Sequence, residues 1–302
     1  MTAAVRESPI DRPSPLARVV RDSRTRIALA VLLGVALAAV FAPFLAPYDP
    51  TAQLDIVRLA SRPPTAAHPF GTDPFSRDVL SRLLYGTRIS LVIGLGGALL
   101  SVVFGVAVGA VAGFVGGATD AVLMRLVDAA LAIPRLLVLI LVASLWGALG
   151  LGSLTLLMAG TGWFGVSRLV RAETVALRDR EFIVAARALG IPPARLLVRH
   201  VLPNVVAPAL VAITLGVANV ILLEAGLSYL GIGLRPPTAS WGAIIQDGAA
   251  RVADLWWLTL FPGLAILVTV FACNALGDAL RDAFDPRQLP RHLVDATFAP
   301  EA

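Results

Sequence analysis

Long apolar runs, separated by short polar segments, are the feature that most restricts how this chain can fold. A helix of about 20 apolar residues spans the hydrocarbon core of a bilayer, and several runs in the sequence approach or exceed that length. Charged residues make up only 15% of the chain, against about 25% in a typical soluble domain. The sequence therefore predicts an all-α integral membrane protein and argues against the soluble fold classes.

Six runs are predicted to be membrane-spanning helices, which places the two termini on the same side. They cover residues 27–45, 89–115, 122–146, 151–170, 207–230 and 255–277. The apolar core of a cleavable signal peptide has only about 7–15 residues, so the first run is instead assigned to a first helix at 27–47. Pro134 and Arg135 lie near the middle of the third run, whereas most other charges lie near the ends of the runs.

The distribution of arginine indicates which side of the membrane each segment occupies. Six Arg lie in the N-terminal tail, 1–26, and six more in the loop 171–206. Segments rich in Arg and Lys stay on the cytoplasmic side, so we predict a cytoplasmic loop at 171–206 and cytoplasmic tails at 1–26 and 281–302. Residues 48–88 become an extracytoplasmic segment with a helix that leads into a five-helix core at 89–280.

The composition also argues against several functional classes. The single cysteine, Cys273, excludes an internal disulfide, and the three His have no metal-ligand spacing. Without any Lys, the chain has no Gly-x-x-x-x-Gly-Lys phosphate loop. No nucleophile–base pair is evident, and the Arg residues form no stripe with aromatic side chains. We expect no catalytic residue, no metal site, no cofactor bound by this chain and no nucleic-acid partner.

Glycines in the second run predict close packing between helices. Gly105, Gly109 and Gly113 recur every four residues and so share one face of the helix. Small residues at such a face allow two helix backbones to approach closely. Packing within the chain is the simpler interpretation, with a movable contact to a partner as the alternative.

Residues 178–204, in the predicted cytoplasmic loop, have the pattern of two short helices separated by a glycine. Asp179 is expected to cap the first helix, and Gly190 to end it in a left-handed conformation. Pro192 and Pro193 suit the first turn of a second helix. That helix would end at about His200, and the fifth span would follow two further prolines, Pro203 and Pro208.

One face of the first loop helix is formed by Phe182, Ala185, Ala186 and Leu189, at i, i+3, i+4 and i+7. Exposed small side chains on this face would let a groove on another protein approach the helix backbone, while flanking Arg residues pair with acidic groups there. An amphipathic helix on the membrane surface, with Arg against anionic headgroups, fits the pattern equally well. The residues alone leave both interpretations open.

The same loop resembles the EAA loop of permease subunits in binding-protein-dependent ABC importers. The matching residues are Ala185, Ala186, Gly190, Leu202, Pro203 and Asn204, while Val184 stands where this family most often has Glu. Further stretches, at 68–90, 113–134, 224–242 and 285–287, resemble the dipeptide, oligopeptide and nickel branch of the family. The resemblance extends in order over about residues 20–287.

The resemblance implies a type I ABC importer permease fold in the cytoplasmic membrane. The first loop helix would then be a coupling helix seated on an ATPase subunit, through Phe182, Ala185, Ala186, Arg187, Leu189 and Gly190. The implied partners, besides the bilayer, are two cytoplasmic ATPase subunits that bind ATP and Mg, a homologous second permease and an extracytoplasmic substrate-binding protein. The chain itself would not be an enzyme.

The resemblance favours di- and oligopeptides as substrates, with nickel or another small solute as the alternative. Two rivals from other classes are an ATP-independent secondary transporter, which should show buried acidic relays or broken helices, and a membrane scaffold. Glu224, late in the fifth span, is the candidate for lining the pathway, because ionisable groups inside a membrane are costly and often functional. Its alternatives are pairing with an Arg or capping the following turn.

Overall fold

The computed structural model describes residues 22–147 and 149–284. Within these ranges the chain is helical, and its β contacts are limited to two isolated bridges. The predicted all-α fold is therefore confirmed for this part of the chain. Most of the predicted N-terminal tail, at 1–21, and of the predicted C-terminal tail, at 285–302, lies outside the described residues.

The helices are numbered here in chain order. The first six are α1 (Ser23–Val40), α2 (Ala42–Leu45), α3 (Ile56–Leu59), α4 (Val79–Val115), α5 (Gly117–Leu131) and α6 (Arg135–Trp146). The next three are α7 (Leu151–Arg178), α8 (Glu181–Ala188) and α9 (Pro193–Leu196), with a π turn at Leu197–Val201. The last three are α10 (Leu202–Tyr229), α11 (Trp241–Gly248) and α12 (Trp257–Phe284).

Helix α4 lies at the centre of a bundle of long helices. It packs against α7 and α10, α12 packs on α10, and α1 lies against α12 and α4. One hydrophobic cluster, which includes Ile93, Leu139, Met158 and Leu227, joins α4, α6, α7 and α10. The short helices α8 and α11 lie at opposite ends of the bundle, called here the α8 end and the α11 end.

The predicted glycine face of α4 packs against α7. A Cβ atom added to Gly105 would lie 2.6 Å from the Cβ of Val166, and one added to Gly109 would overlap the backbone oxygen of Ser167. Gly113 lies equally close to the backbone of α7. The face therefore serves packing within the chain, because only glycine leaves room for the two backbones at this separation.

The described residues contain four helices that are long and apolar enough to cross a membrane, or five if α5 and α6 together form one span. The four are α1, α4, the continuous stretch Pro193–Tyr229 and α12. Helix α7 has 28 residues, which is long enough, but it ends in a charged segment that includes Arg168, Arg171 and Glu173. The predicted count of six spans is not established by these helices.

The sequence predicted one helix for the third span, at 122–146, but the structure has two. Helices α5 and α6 meet at a bend of 80°. Pro134 has no N–H to donate and disfavours the helical conformation at Ile133, so the helix stops and restarts with Arg135 in its first turn. The bend turns α6 away from the axis of α5.

The predicted helix that leads into the second span is continuous with it, because α4 runs without a break from Val79 to Val115. One predicted helix end is wrong. The second loop helix continues into α10 through the π turn, instead of ending near His200. Pro203 cannot donate the bond that a regular helix directs four residues back, and a π turn accommodates such an interruption without breaking the helix.

We expect Gly109→Ala to destabilise the protein, because the new methyl group would overlap backbone atoms of α7 that cannot move aside. Overpacking of this kind costs about 1–3 kcal/mol. The matched control is Gly165→Ala on α7, where an added Cβ would have no atom within 4 Å. Thermal unfolding of the purified protein in detergent should show a lower midpoint for Gly109→Ala alone; equal midpoints for the two variants would contradict the packing described.

Candidate functional site

The loop predicted from the sequence forms a compact element at the α8 end. Gly190 has a φ of +78° and ends α8 in the left-handed conformation, as predicted. The predicted cap is wrong. Arg180 occupies the N-cap position of α8, without a side-chain hydrogen bond, and Asp179 is the C-cap residue of α7. Pro193 lies in the first turn of α9, also as predicted.

The buried side of α8 packs against its own chain. Ile183 and Ala186 contact a hydrophobic cluster formed by Phe114 at the end of α4, Leu196 of α9 and Val201 of the π turn. The prediction that Ala186 belongs to an exposed face is therefore wrong. Helical spacing places Ala186 next to Ala185, but it does not reveal where the bundle lies, and the bundle covers the Ala186 side.

The exposed side of α8 carries the other predicted residues. Phe182 is 46% exposed and Leu189 83% exposed, and Ala185 lies between them on the free surface. Val184, which the sequence analysis noted only as a departure from the family pattern, is 52% exposed beside them. These four residues are called here the α8 surface: all four are apolar and exposed, and Arg187 on the same helix is exposed as well.

A cleft of about 390 Å³ lies beside α8. Phe114, Val115 and Pro193 form its apolar walls, and the guanidinium groups of Arg178 and Arg187 line the remainder. Arg178 also donates to the backbone oxygen of Gly113, over 3.4 Å. Arg178 Nε also lies 3.5 Å from Asp179 Oδ1, so its charge is partly compensated. The cleft thus offers the positive charge of Arg187 next to an apolar surface, a combination that suits an acidic and apolar partner segment.

A second contact, an ion pair, joins the α8 end of α7 to α5. Arg171 donates through Nε and Nη2 to both carboxylate oxygens of Asp120, with 2.6 Å between Nη2 and Oδ2. Bidentate pairs of this kind fix orientation as well as distance. This ion pair ties the α8 end of α5 to α7.

Glu224 lies towards the α11 end, on α10, and its side chain is fully buried. Ser228 Oγ donates to Glu224 Oε1 over 2.7 Å, and Ser90 Oγ donates to Oε2 over 3.3 Å. Ser240, which precedes α11, lies 3.4 Å from the hydroxyl of Ser228. The carboxylate therefore links α4, α10 and the start of α11, and no ion pair is made to it within 22–147 and 149–284. Its role in a pathway stays a prediction.

A buried ionic cluster at the α11 end was not anticipated from the sequence. Asp73, which is fully buried, pairs with Arg77 and Arg82, and both guanidinium groups also reach Asp247 on α11, at 2.9 and 2.6 Å. The cluster ties the segment before α4 to α11, although about 170 residues separate them in sequence. Arg77, Arg82 and Asp247 also line a neighbouring cavity of about 190 Å³.

His68 belongs to the same segment and lies over the start of α4. Its Nδ1 is 2.9 Å from Asp78 Oδ1, and the other carboxylate oxygen accepts bonds from the backbone and hydroxyl of Ser81. His68 is thus used in a buried hydrogen bond at a helix start. In the part of the chain that the structure describes, no group of three or more His, Cys, Asp or Glu side chains could hold a metal ion.

Comparison with known proteins identifies the family. Residues 105–289 match the family described as the inner membrane component of binding-protein-dependent transport systems. Residues 16–64 match the N-terminal transmembrane domain of oligopeptide transport permease C. These two matches together cover most of the chain.

Individual relatives agree with this assignment. A Brucella abortus protein, provisionally named a peptide transport system permease protein, is 43% identical over 270 residues, which cover 89% of this chain and 90% of the relative. The dipeptide transport system permease protein DppC of Bacillus subtilis is 38% identical, over 89% of this chain and 84% of its own length. The oligopeptide transport system permease protein OppC of the same organism is 39% identical, over 86% of this chain and 85% of its own length. The chain belongs to the family of inner membrane components of binding-protein-dependent transport systems, as its EAA-like loop predicted.

Proposed function

We propose that this chain is the permease subunit of an ATP-driven importer that carries di- or oligopeptides across the cytoplasmic membrane. The observation that supports this most strongly is the similarity to permeases named for dipeptide and oligopeptide transport along nearly the whole chain. The bundle of long apolar helices provides the membrane-embedded body that such a subunit needs.

The proposed arrangement in the membrane has six spans. Helix α7 would be the additional span, since 28 residues extend about 42 Å at 1.5 Å per residue, more than the hydrocarbon thickness of about 30 Å. The α8 end would face the cytoplasm, because the loop 171–206 is rich in Arg. The α11 end would then face the external substrate-binding protein.

We propose that the α8 surface docks on a cytoplasmic ATPase subunit. Its apolar side chains are exposed while the opposite side of α8 is packed against the bundle. A partner bound to the α8 surface would therefore be linked, through the buried side of α8, to α4, α9 and the π turn. Two ATPase subunits, which bind ATP and Mg, would act on this chain and on a homologous second permease.

In the proposed cycle, ATP-driven closure of the two ATPase subunits would draw the paired α8 helices together. The long helices would then turn the pathway towards the outside, where the binding protein delivers peptide, and hydrolysis would reset them. Each ligand shifts this equilibrium only by its difference in affinity for the two states. Rigid-body movement is the simplest form of the change, because the buried side of α8 moves with the bundle.

One observation favours a secondary transporter driven without ATP. Such transporters often contain broken helices near the middle of the membrane, and α5 and α6 form a pair bent by 80°. The bend, however, is accounted for by Pro134, and within 22–147 and 149–284 Glu224 is bonded to Ser hydroxyls and forms no chain of acidic groups. The ATP-driven importer is the better supported of the two.

Ala185→Asp tests the docking of α8. We expect this variant to retain less ATPase subunit on purification and to lose at least about tenfold in ATP-dependent peptide uptake, because an unpaired charge would be buried in the interface. Ala118→Asp is the matched control, since it adds the same charge to an exposed site at the α8 end but in the first turn of α5. Unchanged uptake and co-purification for Ala185→Asp would refute the docking surface.

Ala186→Asp is not a suitable variant for that experiment. Ala186 is only 8% exposed and belongs to the hydrophobic cluster under α8. A charge there would disturb the packing of the chain itself, so a loss of uptake would not identify the partner.

The proposed orientation can be tested by labelling with a membrane-impermeant maleimide. Cysteine would be introduced at Ala194 in the loop and at Val57, which is 89% exposed in α3. We expect Ala194→Cys to react in inverted membrane vesicles and Val57→Cys in right-side-out vesicles. The native Cys273 is buried and should stay unlabelled in both. Labelling of Ala194→Cys from the outside would reverse the orientation.

A further inference from the structure

Arg135 lies on α6, a helix of the proposed membrane-spanning bundle, and its guanidinium keeps its positive charge because it is not deprotonated in proteins. It starts α6 immediately after the bend, and its guanidinium crosses to two other helices. Nε donates to Thr161 Oγ1 at 3.1 Å and Nη2 to the backbone oxygen of Met158 at 2.7 Å, both on α7. Nη1 donates to Asn219 Oδ1 on α10, over 3.1 Å. Three helices thus meet at one cation.

The guanidinium lies near half the depth of the bundle. Met158, which accepts one of its bonds, packs against Gly97, and a Cβ atom added to Gly97 would lie 3.1 Å from the Cβ of Met158. Gly97 is at the midpoint of α4, the longest central helix. In the proposed arrangement Gly97 lies within the second span, so Arg135 lies inside the hydrocarbon layer. An ionised side chain is costly there and is usually retained for function.

No acidic side chain in the described ranges compensates this charge. The three acceptors of Arg135 are a hydroxyl, an amide and a backbone carbonyl, and all are neutral. A guanidinium has five N–H groups, so two remain after these three bonds. Arg82 and Arg171, whose guanidinium groups also bridge separate elements, have a carboxylate partner.

The surroundings of Arg135 open to the outside of this chain. Arg135 is partly exposed and Asn219 is exposed on α10. Polar groups in a membrane-spanning bundle face a water-filled pathway or a partner and rarely face lipid. A mainly apolar cavity of about 330 Å³ adjoins the site, where Thr161, Gly160 and Leu157 form part of its wall.

We propose that Arg135 binds the C-terminal carboxylate of the peptide during its passage, a step that rests on the proposed peptide-import function. The two remaining N–H groups supply charge-assisted hydrogen bonds, for which a carboxylate is the matching acceptor. Thr161 and Asn219 act as positioning residues that hold the guanidinium. The adjoining apolar cavity takes up side chains of the peptide. The positive charge of the guanidinium repels a free metal cation such as nickel.

Uptake of a peptide with a free C-terminus, compared with the same peptide as its C-terminal amide, tests this site. The complete complex would be reconstituted in liposomes with its binding protein, and uptake measured at limiting peptide concentration. For Arg135→Gln we expect uptake of the free acid to fall about tenfold to a hundredfold, as for loss of hydrogen bonds to a charged group, with a much smaller effect on the amide. The binding protein can itself prefer one of the two peptides, but it is the same protein with the variant and with the unaltered permease. Its preference therefore cancels when the free-acid to amide ratios of the two permeases are compared.

Arg168→Gln is the matched control. Arg168 is on α7, is 60% exposed and lies 3.6 Å from Asp128, so its loss removes a compensated charge outside the site. We expect the ratio of free-acid to amide uptake to equal that of the unaltered protein. If Arg135→Gln lowers uptake of both peptides equally, Arg135 is a packing element or pairs with the second permease, and the proposed site is refuted.

Arg135→Lys decides the question if Arg135→Gln does not assemble. Lys keeps the charge but loses the planar fork of donors, so the ratio of free-acid to amide uptake should fall severalfold; an unchanged ratio overturns the site. If the unaltered complex imports neither form of any peptide tested, the proposed function fails, and this inference fails with it. Import of peptides together with an unaltered ratio in the Arg135 variants refutes the inference alone.

Discussion

The close packing of α4 against α7 determines where the other functional features of this chain lie. Glycines along α4 remove the side chains that would separate the two backbones, so α7 is held along the central helix over much of its length. This contact sets the depth of Met158, which holds Arg135, and it places Phe114 under α8. In a membrane the hydrophobic effect contributes little between helices, and such packing is the main source of specificity.

Helix α8 has one side buried against the bundle and one side exposed, and its proposed role rests on that division. Ile183 and Ala186 fix it to the bundle, while Phe182, Ala185 and Leu189 remain exposed. A short helix on the membrane surface would also expose apolar groups, but it would have no need of a buried side against three elements of the same chain. The two-sided contact suits a part that receives force from a neighbour and passes it to the helices.

The sequence predicted the features that depend on local pattern. Helical class, the glycine face and the left-handed conformation at Gly190 are set by nearby residues, and the family resemblance was confirmed by the comparisons. Features that depend on distant contacts were missed or wrong. The burial of Ala186 depends on where Phe114 lies, and the ionic cluster joins Asp73, Arg77 and Arg82 to Asp247, which is about 170 residues away in sequence. The bend after α5 had a visible signal in Pro134, but a proline kinks some helices and ends others.

Photo-crosslinking from the α8 surface tests the central claim most directly. Phe182 would be replaced by benzoyl-phenylalanine, a photoreactive derivative of phenylalanine, and the complex would be irradiated in native membranes. The account predicts a covalent adduct between this chain and the ATPase subunit, identified by mass spectrometry, because nearly half of the Phe182 side chain is exposed for docking. Adducts with lipid alone would instead place α8 on the membrane surface and contradict the account.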